Sequence, residues 1–148
     1  MADKGQADLV MELADGSSNA SSGGAEILIQ GPEGIEIEVD ARLSFSTTNN
    51  EAEYEALILG LELVYEAGAK ILELYTDSQL IAMQIEGSYE TKEKSMTMYL
   101  KKAKSLMQQF DKCSIQQTLR CENDRGNLLV KFGIFFYRES KIEKLQSW

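Results

Sequence analysis

The stretch TNNEAEYEALILGLELVYEAGAKILELYTDS, residues 48–78, decides the fold. Its opening, Thr48-Asn49-Asn50-Glu51, has the pattern of a capping box, and Asn50 with Glu53 offers a second register. Tyr54, Leu57, Ile58, Leu61, Val64 and Tyr65 then recur at spacings of three and four, which makes one apolar helical stripe. Gly68 is a natural stop, since a residue just past the last turn often takes the left-handed conformation. Residues 71–75 are a short apolar run, predicted to be a buried strand that ends at Thr76-Asp77-Ser78. A short helix is predicted from about 78 to 85.

Upstream, an apolar run at 9–14 ends in Asp15-Gly16-Ser17-Ser18-Asn19, a strand followed by a turn. The small polar segment 19–24 reads as a loop. Residues 25–30 and 35–40 are joined by Gly31-Pro32-Glu33-Gly34, and Ile35, Ile37 and Val39 alternate with Glu36, Glu38 and Asp40. A period of two predicts a half-buried strand, hence a hairpin. Downstream, Met96, Tyr99, Leu100, Ala103, Leu106, Met107 and Phe110 line one side of a predicted helix over 94–110. A strand is expected at 113–119. The tail from Gly126 is expected to be helical at first, with Leu128, Leu129, Phe132 and Phe136 apolar. The order β-β-β-α-β-α-α-β-α describes one α/β domain over residues 9–132, a five-stranded mixed sheet with helices packed on it. Residues 1–8 read as a linker and 133–148 as an aromatic tail.

Composition bounds the chemistry. The chain has 148 residues, 43% apolar and 26% charged, which is usual for a globular domain. No run approaches the roughly 18 apolar residues of a membrane span. No basic segment precedes a long apolar run at the N-terminus, so an intracellular rather than secreted protein is expected. Cys113 and Cys121 have no metal-binding spacing and read as ordinary thiols. The absence of histidine excludes Ser-His-Asp and Cys-His catalysis and the common zinc sites. Any chemistry must then run on carboxylates. The net charge of −9 is unevenly spread: residues 1–91 carry 18 acids against three bases, whereas 92–148 carry 12 bases against six acids. A basic half can meet a polyanion despite the acidic average.

Three acids occupy special places. Asp15 closes the first strand, Glu53 lies in the opening turns of the capped helix, and Asp77 follows the fourth strand. Strand ends and helix starts on one side of an α/β sheet are where sites form. Converging carboxylates need cations, and Mg²⁺ suits a set of hard oxygen donors. Two such ions could drive phosphodiester hydrolysis.

The words around those acids carry a resemblance. Asp15-Gly16-Ser17, Thr48-Asn49-Asn50-Glu51-Ala52-Glu53, Tyr54-Glu55-Ala56-Leu57 and Thr76-Asp77-Ser78-Gln79 stand in this order, with Gly31-Pro32-Glu33-Gly34-Ile35 and Glu86-Gly87-Ser88-Tyr89-Glu90 as flanks. Together they resemble the ribonuclease H domain, most closely the version in plant retroelements of the gypsy type, over about residues 9–128. The resemblance implies the ribonuclease H fold and an endonuclease that cuts the RNA strand of an RNA–DNA hybrid with two Mg²⁺ ions, Mn²⁺ being a substitute. It implies metal ligation by Asp15, Glu53 and Asp77. Asp15 would serve both ions, and Glu53 would also face the 2′-hydroxyl side of the substrate. Thr48, Asn49, Asn50 and Gln79 would contact the hybrid's minor groove, where 2′-hydroxyls distinguish RNA from DNA. Lys101, Lys102 and Lys104, with Lys92 and Lys94, would meet the phosphate backbone. The rest of a reverse-transcriptase-like polyprotein is an expected partner.

The chain departs from the family at the fourth acid. In Glu122-Asn123-Asp124-Arg125-Gly126-Asn127 that position, expected on the last helix, is Asn127. Asparagine ligates through a neutral carbonyl, so the second metal would be held more weakly. The alternative is a module that binds nucleic acid or protein and cuts poorly.

Overall fold

The computed structural model describes residues 7–15, 24–31, 35–43, 49–87, 93–117 and 130–138. Three strands come first: β1 (Leu9–Asp15), β2 (Gly24–Gln30) and β3 (Ile35–Leu43). β2 pairs antiparallel with both neighbours, Ile27 lying opposite Leu13 on one side and Val39 on the other. Alternation decides which face is covered. Met11, Leu13, Ala25, Ile27, Ile29, Val39 and Ala41 are buried, while Glu12, Glu26, Glu38 and Asp40 between them are only half-buried. This is the period of two that the alternating acids and aliphatics predict, but it fails at the start of β3, where Glu36 is buried, Ile35 exposed and Ile37 half-buried.

Helix α1 (Asn49–Glu66) packs on the inner face of β1 and β2. Every residue from Glu51 to Leu61 is buried, so this helix has no water-facing side over its first three turns. It comes unusually close to the sheet. A Cβ built at Gly60 would stand 2.6 Å from Met11 Sδ and 3.4 Å from Ile27 Cγ2. The helix ends at Gly68, where φ is 93°. There Gly68 N donates to Tyr65 O at 3.0 Å and Ala69 N to Val64 O at 3.2 Å, the paired bonds of a Schellman cap.

The chain then enters β4 (Ile71–Thr76), parallel to β1. Asp8, expected in the linker, is tied in here: its N donates to Ile71 O at 2.8 Å, and its Oδ2 accepts from Lys70 N and Ile71 N. Helices α2 (Gln79–Glu86) and α3 (Lys94–Met107) follow, then β5 (Lys112–Gln117), parallel to β4. These five strands and three helices are the expected mixed sheet with its helices, in the expected order. Asn50 lies inside α1, so the second capping register does not operate, and Thr48 lies outside the described residues. α3 stops at Met107 rather than 110, and residues 108–110 form a turn that leaves Phe110 buried.

The tail differs from expectation. Residues 126–129, where the helix was expected to begin, lie outside the described residues, and the segment carrying Phe132 and Phe136 is a strand, β6 (Val130–Arg138), parallel to β3 with Ile35 beside Val130 and Leu43 beside Arg138. The sheet therefore has six strands in the order β5-β4-β1-β2-β3-β6. Spacings among Leu128, Leu129, Phe132 and Phe136 fit a helix, but VKFGIFFYR is rich in β-branched and aromatic residues. The free edge of β3 offers such a segment a row of backbone partners. β6 runs through the expected boundary between residues 132 and 133. Among the described residues no helix is long and apolar enough to cross a membrane.

The Gly60 contact makes a test of the α1–sheet packing. The atoms in the way are the end of the flexible Met11 side chain, which is wholly buried and must shift within the packed core. Gly60→Ala should therefore cost roughly 1–3 kcal/mol of overpacking, more than the ~1 kcal/mol of helix propensity it gains. A melting temperature several degrees lower in thermal denaturation is expected.

Candidate active site

Strand directions assemble the site. β1, β3 and β4 all run the same way, because β2 is antiparallel to both β1 and β3 while β4 is parallel to β1. Their C-terminal ends share one edge of the sheet. Leu13 pairs with Thr76, so Asp15 is two residues further along β1 and Asp77 one residue further along the neighbouring strand. α1 begins six residues after Leu43 ends β3, at that same edge, and Glu53 is its fifth residue. The topology thus brings the three predicted acids to one end of the sheet.

Local bonds hold two of them. Ser78 N donates to Thr76 Oγ1 at 3.0 Å, and Ser78 Oγ accepts from Ile81 N at 3.2 Å as the N-cap of α2. Asp77 is gripped between a wholly buried threonine and the first turn of a capped helix. Glu53 is 6% exposed. Asp15 is placed by its backbone pairing with Ala25. Its side chain, like that of Asn49, is outside the description, and Asn127 lies outside the described residues altogether. Val130, three residues beyond Asn127, pairs with Ile35, at the sheet end away from Asp77. Among the described residues no group of three or more His, Cys, Asp or Glu could hold a metal ion.

The proposed substrate contacts divide. Asn49 and Asn50 open α1 and Gln79 opens α2, so all three stand at the acid-bearing edge; Gln79 is exposed. Lys94 begins α3, and Lys101, Lys102 and Lys104 follow on it, Lys101 exposed and the other two half-buried. They lie off the buried stripe of Met96, Tyr99, Ala103 and Leu106.

Reading the sequence missed a set of buried polar bonds beside the acids. Tyr54 and Tyr99 were expected to be plain members of apolar stripes. Both are wholly buried, and both hydroxyls donate at 2.7 Å: Tyr54 to Gln84 Oε1 on α2, and Tyr99 to Glu55 Oε2 on α1. Ser95 Oγ donates to Glu51 Oε2 at 2.9 Å. Glu51 and Glu55 are one turn apart on α1, as Ser95 and Tyr99 are on α3, so the two bonds form a ladder between parallel helices. That doubled spacing of four was the signal available in the sequence. The Tyr54 and Tyr99 rings stack with centroids 5.9 Å apart and planes 9° from parallel. Burial holds the Tyr54 hydroxyl well above the usual tyrosine range, so it stays a donor.

Comparison with known proteins agrees with this architecture. Residues 13–133 match the model of a family described as reverse transcriptase-like. The chain belongs to this family of ribonuclease H domains. A ribonuclease HI of Halobacterium salinarum is 35% identical over 119 residues, 78% of this chain and 59% of that protein. The chain thus spans about three-fifths of that relative's length. The crystal structure of RNase H1 from Halobacterium salinarum has a TM-score of 0.66 at 30% identity, covering 80% of this chain and 90% of that one. LC11-RNase H1, solved in complex with an RNA/DNA hybrid, has a TM-score of 0.62 at 29% identity, covering 76% and 86%.

One titration in the family fold is testable. Burial pushes the Cys113 thiol on β5 up from 9.0 to about 11. Above pH 9 the unfolded chain loses this proton while the folded protein keeps it, so the folded state binds more protons and stability falls with rising pH. Urea midpoints should drop between pH 9 and 11, and Cys113→Ala should make that drop shallower.

Proposed function

We propose that this chain is a divalent-metal-dependent endonuclease that hydrolyses the RNA strand of RNA–DNA hybrids, its metal held by Asp15, Glu53 and Asp77. The observation that carries this reading is the common edge: two acids leave the ends of adjacent parallel strands, and the third lies on the helix that starts there. The donor set fits the group. All three side chains offer hard anionic oxygens, and the chain has no histidine to draw a softer metal. Mg²⁺ there, as two ions or with Mn²⁺ in its place, supplies positive charge against the scissile phosphate and activates the attacking water.

The protein's part is placement. Asp15 would serve both ions. Glu53, nearly closed off from water on a buried helix, would ligate one ion and face the 2′-hydroxyl side of the RNA. Asp77 is kept in place by the Thr76–Ser78 turn. Asn127 is left without a ligand role, because Val130, three residues later, starts β6 at the opposite end of the sheet. Thr48, Asn49 and Asn50 before and at the start of α1, and Gln79 at the start of α2, carry the hydroxyl and amides suited to reading 2′-hydroxyls in a minor groove. Lys94, Lys101, Lys102 and Lys104 would supply salt-sensitive contacts to phosphates. Residues 8–138, from the Asp8 tie to the end of β6, would form the catalytic unit, working inside the cell beside the rest of a reverse-transcriptase-like polyprotein. The relative solved with an RNA/DNA hybrid supports this substrate class.

Asn127 in place of an acid favours a second reading, a hybrid-binding module that cuts poorly. Both are decided by cleavage of an end-labelled hybrid in Mg²⁺ and in Mn²⁺. The first reading predicts RNA-strand cutting that falls by ~100-fold or more in Asp77→Asn, a loss of about 2.7 kcal/mol in transition-state stabilisation. Folded protein that binds the hybrid but cuts it in neither metal establishes the second.

A further inference from the structure

The Tyr54–Gln84 bond joins the carriers of two acids. Tyr54 is the residue after Glu53. Gln84 belongs to α2, whose N-cap Ser78 is the residue after Asp77. The two partners are 30 residues apart in sequence, 2.7 Å apart in space, and 0% and 2% exposed. α2 is fixed at both ends, by the Ser78 cap and by Gly87 N, which donates to Met83 O and Gln84 O. The caps hold α2 as one unit from Ser78 to Gly87, so a hydrogen bond from Tyr54 to its last turn ties α1 to the element that directly follows Asp77. On the other side the Tyr54 ring is stacked on Tyr99, itself bonded to Glu55.

Packing alone leaves a helix free to roll slightly about its axis. A roll of about 20° moves a group ~6 Å from that axis through roughly 2 Å. Mg²⁺ demands near-octahedral geometry with bonds of about 2.0–2.1 Å, so such a roll breaks ligation. The bonds of Glu51 and Glu55 hold α1 against α3, and the Tyr54–Gln84 bond holds it against α2, the helix that follows Asp77; an apolar pair of the same volume would not supply that second direction.

We infer that the buried Tyr54–Gln84 hydrogen bond is a strut that fixes the Glu53 carboxylate relative to Asp77, making Tyr54 and Gln84 positioning residues for the metal site. This rests on the proposed metal-holding role of Glu53 and Asp77. Neither residue touches metal or substrate; both act through the helices they join.

Mn²⁺ binding by isothermal titration, with melting temperature measured metal-free, tests the strut in the wild type, Tyr54→Phe, Tyr54→Phe/Gln84→Met and Asp77→Asn. Removing a group that orients a ligand typically weakens metal binding by roughly 10-fold or more, and this is expected of Tyr54→Phe. The double variant leaves no unpaired polar group, so it should melt close to the wild type yet still bind Mn²⁺ as weakly as Tyr54→Phe. It also provides the measurement if Tyr54→Phe does not fold. With hybrid substrate, kcat should fall more than KM changes. Wild-type affinity in Tyr54→Phe, or affinity regained together with melting temperature in the double variant, overturns the strut. Those outcomes, with Mn²⁺ uptake still lost in Asp77→Asn, leave the site reading intact. A wild type that takes up no Mn²⁺ overturns both.

Discussion

A helix buried on every side must pair its polar groups or neutralise them, and α1 is such a helix from Glu51 to Leu61. It carries three glutamates and a tyrosine through that span while lying close enough to β1 that Gly60 has no room for a side chain. Hydrogen bonds from Ser95 and Tyr99 on α3 and to Gln84 on α2 are what make this burial tolerable. They also set how α1 is turned. A half-satisfied set of such groups would be worse than an apolar core, so the polar seam commits the three helices to one arrangement.

That arrangement matters because of where α1 begins. β1, β3 and β4 point the same way, and α1 begins six residues after β3 at their shared end. Asp15 arrives there as the last residue of β1, Asp77 as the first residue past β4, and Glu53 on the helix. Rigid elements thus present all three acids, which suits ions that tolerate little error in ligand position. The Thr76–Ser78 turn and the capped start of α2 add local stiffness at Asp77.

Much of this was legible in the residues. The alternation from Ile35 to Asp40 defined the hairpin, the stripe from Tyr54 to Tyr65 defined α1, and Gly68 marked its end with a positive φ. Strand-end and helix-start positions made Asp15, Glu53 and Asp77 candidates among 24 acids, and the resemblance of the words around them selected them. Two features were not legible, for physical reasons. An apolar stripe does not reveal that a tyrosine within it spends its hydroxyl on a partner 30 residues away, because only tertiary packing brings Gln84 to Tyr54. Phe132 and Phe136, four apart, suit a helix face equally well. What decided their conformation was the open edge of β3 beside a β-branched, aromatic segment.

The central claim is that a divalent cation binds at the edge shared by the ends of β1 and β4 and the start of α1. Paramagnetic Mn²⁺ tests it most directly, added at substoichiometric levels to ¹⁵N-labelled protein while amide signals are followed by NMR. The account predicts selective broadening of amides around Asp15, Glu53 and Asp77, with Gly68, Ile71 and Lys112 at the opposite end unaffected. Broadening centred on that opposite end, or spread evenly over the acidic surface, would contradict it.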